Sequence, residues 1–158
     1  MKIFDALYLD GLVQDAKVSG RLRQHRNIHT SYLDACQRLF NAIEPDSYIQ
    51  PHRHASVPRE ELLMAVRGLM ALITFDDVGQ ITFVQRFGSE AYGADVTAAV
   101  EVSSSTWHTV VALVPGAVLL EIKAGPFDPS QPKDMASWAP VAGTAAAATY
   151  LQHLRTLV

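Results

Sequence analysis

Between Ala35 and Lys123 the apolar positions fall in short runs broken by turn residues: QRLFNAI, SYIQPHRH, ELLMAVRG, LMALITF, QITFVQRFG, TAAVEV, WHTVVALV and AVLLEIK. Each run has strand length and is rich in β-branched or aromatic residues. The link DDVGQ between LITF and ITFVQ reads as a hairpin, and PDS (45–47) and PG (115–116) supply further turns. Short strands at regular spacing, with no helices alternating between them, predict an all-β antiparallel sandwich or barrel. Helical spacing returns only at the ends. Asp10 precedes GLVQDAKVS, where Leu12, Val13 and Ala16 form one face and Gly20 can end the helix. The tail GTAAAATYLQHLRTLV predicts a second helix, N-capped by Thr144, with Tyr150, Leu151, Leu154 and Leu157 as its apolar face. RLRQHRNIHTS, between the first helix and the strands, has no clean period. A single domain is expected, in three stretches: an N-terminal helix and arm (1–34), a barrel (35–128), and a C-terminal loop and helix (129–158) that packs on the barrel exterior or on another subunit.

Composition narrows the class. Of 158 residues 49% are hydrophobic and 18% charged, which is globular rather than disordered. Lys plus Arg number 13 against 16 Asp plus Glu, a net charge of −3, so electrostatics gives no reason to expect nucleic acid or an anionic membrane as partner. No apolar stretch approaches the roughly 18 residues of a membrane span, and the first residues lack a signal-peptide core. A cytoplasmic location is expected. The single cysteine, Cys36, excludes an intrachain disulfide and a Cys-rich zinc module, and is expected to be reduced and partly buried.

The chemistry concentrates in PHRHASVPREELLMAVRG (51–68). On a strand, residues two apart share a face, so His52 and His54 present two imidazoles together. The chain then turns and returns as ELLMAVRG, which as an antiparallel neighbour would bring one acid back to them. Side chains alternate, so either Glu61 points in, with Leu63 and Ala65, or Glu60 does. His108 follows late, at the start of WHTVVALV. Three imidazoles and a carboxylate suit one divalent transition metal such as Zn, Fe, Mn, Ni or Cu. Tyr48 shares the strand parity of His52 and is expected on the same face. His25 and His29 either line the cavity or are solvated. Arg23, Arg26, Asn27 and Lys123 are candidate donors to a carboxylate, phosphate or sugar hydroxyl.

His-x-His followed by Glu-x6-Gly (His52, His54, Glu61, Gly68), with a later His before an apolar strand, resembles the two-part metal signature of the cupins. RxHRNIH, SYIQPHRH, VEVSSSTWH and EIKAGPFDP, in that order, extend the resemblance over roughly residues 21–128 to WbuC-type cupin-fold metalloproteins. The chain departs from the usual cupin pattern in placing six residues between His54 and Glu61, and in having Ser and Thr where Pro-x-Gly normally precedes the later His. The resemblance implies a double-stranded β-helix (jelly-roll) barrel, a homodimer, and metal ligands His52, His54, Glu61 and His108. The function implied is a metal-dependent enzyme acting on a small sugar-like or acidic metabolite: an isomerase or epimerase, a decarboxylase, or a dioxygenase. His29 and Tyr48 are its candidate catalytic residues. The alternative is a non-catalytic cupin that binds or senses a small molecule.

Overall fold

In a computed structural model, which describes residues 1–56, 58–130 and 133–158, the chain folds as two five-stranded sheets face to face with a helix against the outside of each. In chain order the elements are α1 (Ala6–Val18), β1 (Arg23–Asn27), β2 (Cys36–Ile43), β3 (His52–Arg53), β4 (Glu61–Arg67), β5 (Leu69–Phe75), β6 (Ile81–Gly88), a short 3-10 turn (Glu90–Tyr92), β7 (Val100–Val102), β8 (Trp107–Ala112), β9 (Ala117–Ala124), β10 (Asp134–Met135) and α2 (Ala145–Arg155). One sheet runs β1-β2-β9-β4-β7, the other β10-β3-β8-β5-β6, and the paired strands are antiparallel. This is the jelly-roll barrel expected, and alternation along each strand divides its faces. Ile43, Leu63, Met70, Leu72, Phe87, Val110, Ala117 and Leu119 fill the interior between the sheets. Phe40, Ala42 and Val118 face outward and meet Leu12, Val13 and Ala16 of α1. Ile73, Phe75 and Val111 face outward on the other sheet and meet Ala147, Leu151 and Leu154 of α2. All seven residues of β5 are therefore buried, which is why LMALITF reads as one apolar run rather than an alternation.

The helix caps follow local chemistry. Thr144 caps α2 as expected, accepting from Ala147 N. The first helix begins earlier than its apolar face suggests: Asp5, not Asp10, is the N-cap, its carboxylate accepting from Tyr8 N at 2.9 Å. Of the expected apolar face of α2, Leu157 lies past the helix end and is exposed. RLRQHRNIHTS, which shows no period, contributes edge strand β1, while β10 comes from the Pro-rich segment after Lys123, so both sheets draw on stretches flanking 35–128.

Two departures bear on the site. SYIQPHRH is strand only at His52–Arg53, because the preceding carbonyls are taken by side chains: Arg23 donates to Tyr48 O, Thr109 to Ile49 O, and the His52 ring to Gln50 O. And β3 and β4 do not form a hairpin. They lie in opposite sheets, β3 beside β8 and β10, and β4 between β9 and β7. The chain crosses sheets again at Gly68, between β4 and β5, with φ +78 and its α-carbon so close to Ala117 that a Cβ would sit 3.0 Å from that residue's Cα. Cys36 is exposed at the start of β2, not partly buried, because its neighbour Gln37 takes the inward position.

Candidate metal centre

His52 of β3 stands directly opposite His108 of β8 in register, their ring centroids 4.5 Å apart. His54, two residues on, shares their face, while Arg53 points the other way and lies 4.2 Å over the Trp107 ring. His54 N donates to Ser104 O at 2.8 Å, which ties this strand to the turn before β8. That turn is closed by Ser103 and Thr106, whose hydroxyls are 2.7 Å apart; these residues stand where Pro-x-Gly was expected and still direct His108 inward. Glu61, the first residue of β4, reaches across from the opposite sheet. Its Oε1 is 3.1 Å from His54 Nε2 and its Oε2 is 3.2 Å from His108 Nε2. One donor atom from each of His52, His54, Glu61 and His108 lies within 4.8 Å of all the others. Glu60 is exposed, so the carboxylate at the cluster is Glu61.

The tautomers follow from the backbone. A carbonyl only accepts, so His52 Nδ1 donates to Gln50 O at 3.0 Å and His108 Nδ1 to Thr106 O at 2.9 Å. In the neutral rings each Nε2 then carries a lone pair. At His108 that lone pair faces a carboxylate oxygen, and His54 Nε2 is enclosed 3.1 Å from Glu61 Oε1 without an aligned hydrogen bond. Electron-rich atoms so placed need a cation among them, either an added proton or a metal ion. Burial of the cluster, with Glu61 3%, His52 8% and His108 2% exposed, disfavours the proton on His52, whose pKa is held well below 6.5 by burial first and then by Lys133 and His108. Burial alone would raise the Glu61 carboxyl, but His108, His54 and Lys123 outweigh it and keep it well below its usual 4.5. A buried carboxylate, three converging imidazoles and a His54 nitrogen without an aligned hydrogen bond fit a divalent transition metal, with the Gln50 and Thr106 carbonyls fixing the rings of His52 and His108 behind it.

Lys123 is the candidate donor brought nearest the cluster. Its ammonium lies 3.0 Å from Glu61 Oε1 and 2.6 Å from Glu121 Oε1; burial would lower its pKa, but the two carboxylates hold it up to about 12. Arg23 faces inward from β1, donating to Tyr48 O at 2.8 Å and Ser47 Oγ at 3.2 Å, and borders a cavity of about 280 Å³ beside the cluster with Glu121 and Lys133. His25 lines this same cavity, whereas the remaining candidates are placed elsewhere. Arg26 alternates to the outer face and binds Asp15 of α1 at 2.6 Å, over the Tyr8 ring. Asn27 is exposed at the end of the edge strand. His29 is buried beyond β1, where its Nδ1 meets the Arg38 backbone. Tyr48 is not on the His52 face: without a regular strand from 47 to 51 its parity carries no meaning, and it packs among Ile73, Phe75 and Leu154 with its hydroxyl donating to Pro140 O. Sequence reasoning missed Glu121 and Lys133. Alternation along AVLLEIKA puts Glu121 on the face of Lys123, a signal available in the chain; Lys133 sits in a Pro-rich loop without period. A larger depression of about 520 Å³, lined by Cys36, Leu62 and Ile122, touches only Lys123 of these residues.

Fold and site together define a jelly-roll barrel with a candidate metal centre, and solved structures agree on the fold. The chain is similar to KdgF from Halomonas sp. (14% identity over 72% of this chain and 87% of that one, TM-score 0.51) and to a cupin 2 conserved barrel domain protein from Rhodopseudomonas palustris (14%, 76% and 68%, TM-score 0.50). It is also similar to a mutant of the oxalate decarboxylase OxdC from Bacillus subtilis (18%, TM-score 0.52), matching 70% of this chain but only 27% of that one. By its sequence, the chain belongs to the family described as Domain of unknown function (DUF6016), whose model matches residues 4–87, just over half of its length. No curated protein matches it. Among the described residues no helix is long and apolar enough to cross a membrane.

Proposed function

We propose that this chain is a metal-dependent enzyme of the WbuC type, acting on a small sugar-like or acidic metabolite. The observation that carries the reading is the convergence of three imidazoles and Glu61 on one point inside the barrel, with His54 Nε2 lacking any other partner. His52, His54, Glu61 and His108 would hold the ion, which when bound supplies Lewis-acid polarisation of a substrate oxygen. The chain's own groups do the rest. The Gln50 and Thr106 carbonyls fix the rings, and Lys123, held charged by Glu61 and Glu121, stands beside Glu61 as a hydrogen-bond donor to a bound ligand. OxdC, a neighbour in fold, is by name an oxalate decarboxylase, an enzyme of a small acid. That likeness agrees with the reading without choosing among isomerisation, decarboxylation and oxygenation.

A second reading, a non-catalytic module that binds a small molecule, is favoured by one observation: His29 and Tyr48, the candidate proton-transfer groups, both lie outside the cluster. Metal content separates these readings in order. Protein purified without chelator or His-tag should carry close to one divalent ion per chain, and His52→Ala should carry little; equal content in both refutes the centre. Metal-loaded and EDTA-treated protein are then compared on sugar nucleotides and keto acids. Metal-dependent turnover supports the enzyme. Tight binding of one compound recovered unchanged supports the module.

A further inference from the structure

The cavity beside the metal cluster has a chemistry that the four ligands do not use. Its walls include Arg21 just before β1, Arg23 at its start, Glu121 from β9, and Lys133 just before β10. Because β10 pairs with β3, with Met135 opposite His52, Lys133 is held against the strand that carries the histidines. Its ammonium is half-buried and makes no hydrogen bond or ion pair with any described residue. Burial pushes it down to about 8 against the pull of Glu121 and Glu61, with Arg23 and Lys123 adding a smaller like-charge repulsion. Glu121 and Glu61 act on it only through space, since both make their direct ion pairs with Lys123, at 2.6 and 3.0 Å. Arg23 has spent one nitrogen on Tyr48 O and Ser47 Oγ; the rest of its guanidinium is free of described residues. Three cations, Arg21, Arg23 and Lys133, thus face this cavity with one carboxylate, Glu121, that is already paired to Lys123, an excess of positive charge that an anion would balance.

A second feature gives the ligand a further handle. Asn41, on the inner face of β2, borders the same cavity, and its side-chain oxygen is enclosed with no hydrogen-bond partner among the described residues. An unpartnered buried amide calls for a group that can bond it in either orientation, which a hydroxyl does by donating and accepting. At about 280 Å³ the space lies at the small end of ligand sites, which run from about 300 to 1,000 Å³, so it suits a compact molecule rather than a nucleotide.

We propose that Arg23 and Lys133 form an oxyanion subsite beside the metal centre, and that the ligand of this protein is a small hydroxylated acid whose carboxylate or phosphate lies between them while a hydroxyl meets Asn41. This deepens the reading of the preceding section and rests on it only for a second anchor, the ion; the cationic walls stand whether or not metal binds.

Binding is measured by calorimetry on the full chain, metal-loaded and EDTA-treated, with D-glycerate, inorganic phosphate, propionate and uncharged glycerol as probes. D-glycerate or phosphate should bind saturably, the tighter of the two telling a carboxylate from a phosphate subsite, and glycerol should not bind. Lys133→Gln and Arg23→Gln should each weaken the anion at least 10-fold, Lys133→Arg should restore most of it, and metal content should stay at the wild-type level in all three. Asn41→Leu should remove the preference for D-glycerate over propionate. Thermal unfolding of each variant shows that it folds. Should the metal reading fail, the EDTA-treated protein would still bind the anion in a manner that Lys133→Gln abolishes. The subsite itself is overturned if neither anion binds at 10 mM, or if both bind equally well to wild type, Lys133→Gln and Arg23→Gln.

Discussion

Replacing Glu61 by Gln keeps the shape of the side chain and removes the only anionic donor of the cluster. Without metal, the change deletes a charged hydrogen bond to Lys123 at 3.0 Å, but Lys123 retains Glu121 at 2.6 Å and is not stranded. The loss is that of one such bond, about 1.5–3 kcal/mol. In a chain of this length each kcal/mol moves Tm by roughly 2–4 °C, so the metal-free variant should melt about 3–12 °C lower. The metal-dependent part is more specific. Groups that merely orient a ligand are worth about 10–100-fold in metal affinity, so loss of a ligand itself should reach about 100-fold or more. At a free ion concentration of about 100 Kd the wild type gains about 2.7 kcal/mol, whereas the variant, now near its own Kd, gains about 0.4 kcal/mol. Unfolding followed by circular dichroism, with and without a buffered divalent ion, should show a metal-induced rise of about 5–11 °C for wild type and about 1–2 °C for Glu61→Gln. Equal rises in the two proteins would refute the assignment of Glu61 as a ligand.

Three further outcomes follow from the same geometry. Glu60→Gln, at the exposed neighbour of Glu61, should leave metal affinity within about 2-fold and stability within about 0.5 kcal/mol, as titration of the two proteins side by side will report. In EDTA, stability should fall with acid: His52 is held well below 6.5, so the unfolded chain takes up a proton below that pH that the folded chain refuses, and Glu61, held well below 4.5, adds a second loss below pH 4.5. Both contributions are complete above pH 6.5; urea unfolding from pH 7.5 to 4.5 should show His52→Gln flattening the slope just below 6.5, and an unchanged slope would contradict it. Gly68→Ala should destabilise by at least about 2 kcal/mol, because φ is +78 and the new Cβ would meet Val114 Cγ2 at 2.9 Å and the Ala117 backbone at 3.0 Å. A denaturation midpoint matching wild type would show that the sheet crossing yields more readily than this contact implies.

The strand pattern was legible because this barrel buries one face of most strands against a single interior, and the apolar runs from QRLFNAI to AVLLEIK fall on β2 and β4 to β9. Illegible stretches are those whose backbone is satisfied by something other than a ladder or whose faces are both polar. β1 alternates Arg, Gln, His, Arg and Asn, with no apolar residue to betray a face. Residues 47–51 look like strand, yet their carbonyls are bonded by Arg23, Thr109 and the ring of His52, so the parity argument that placed Tyr48 with the histidines fails there. It succeeds across His52–His54 and at Glu61, where the chain is extended and paired.

The hairpin expected to carry three of the ligands is absent for a related reason. Adjacent strands of one sheet point their inward side chains along parallel directions, which sets donors in a row; to surround an ion, donors must arrive from opposing directions. Placing β3 and β4 in facing sheets does this, with His52, His54 and His108 from one wall and Glu61 from the other. The same opposition explains why the cationic cavity escaped the sequence. Arg23, Glu121 and Lys133 come from β1, from β9 and from the loop before β10, and only the closing of one sheet on the other gathers them beside the histidines. A motif records ligands that are close along the chain. The groups that choose what those ligands act on are assembled by topology, and here Lys133 is one that borders the cavity without a direct ion pair among the described residues.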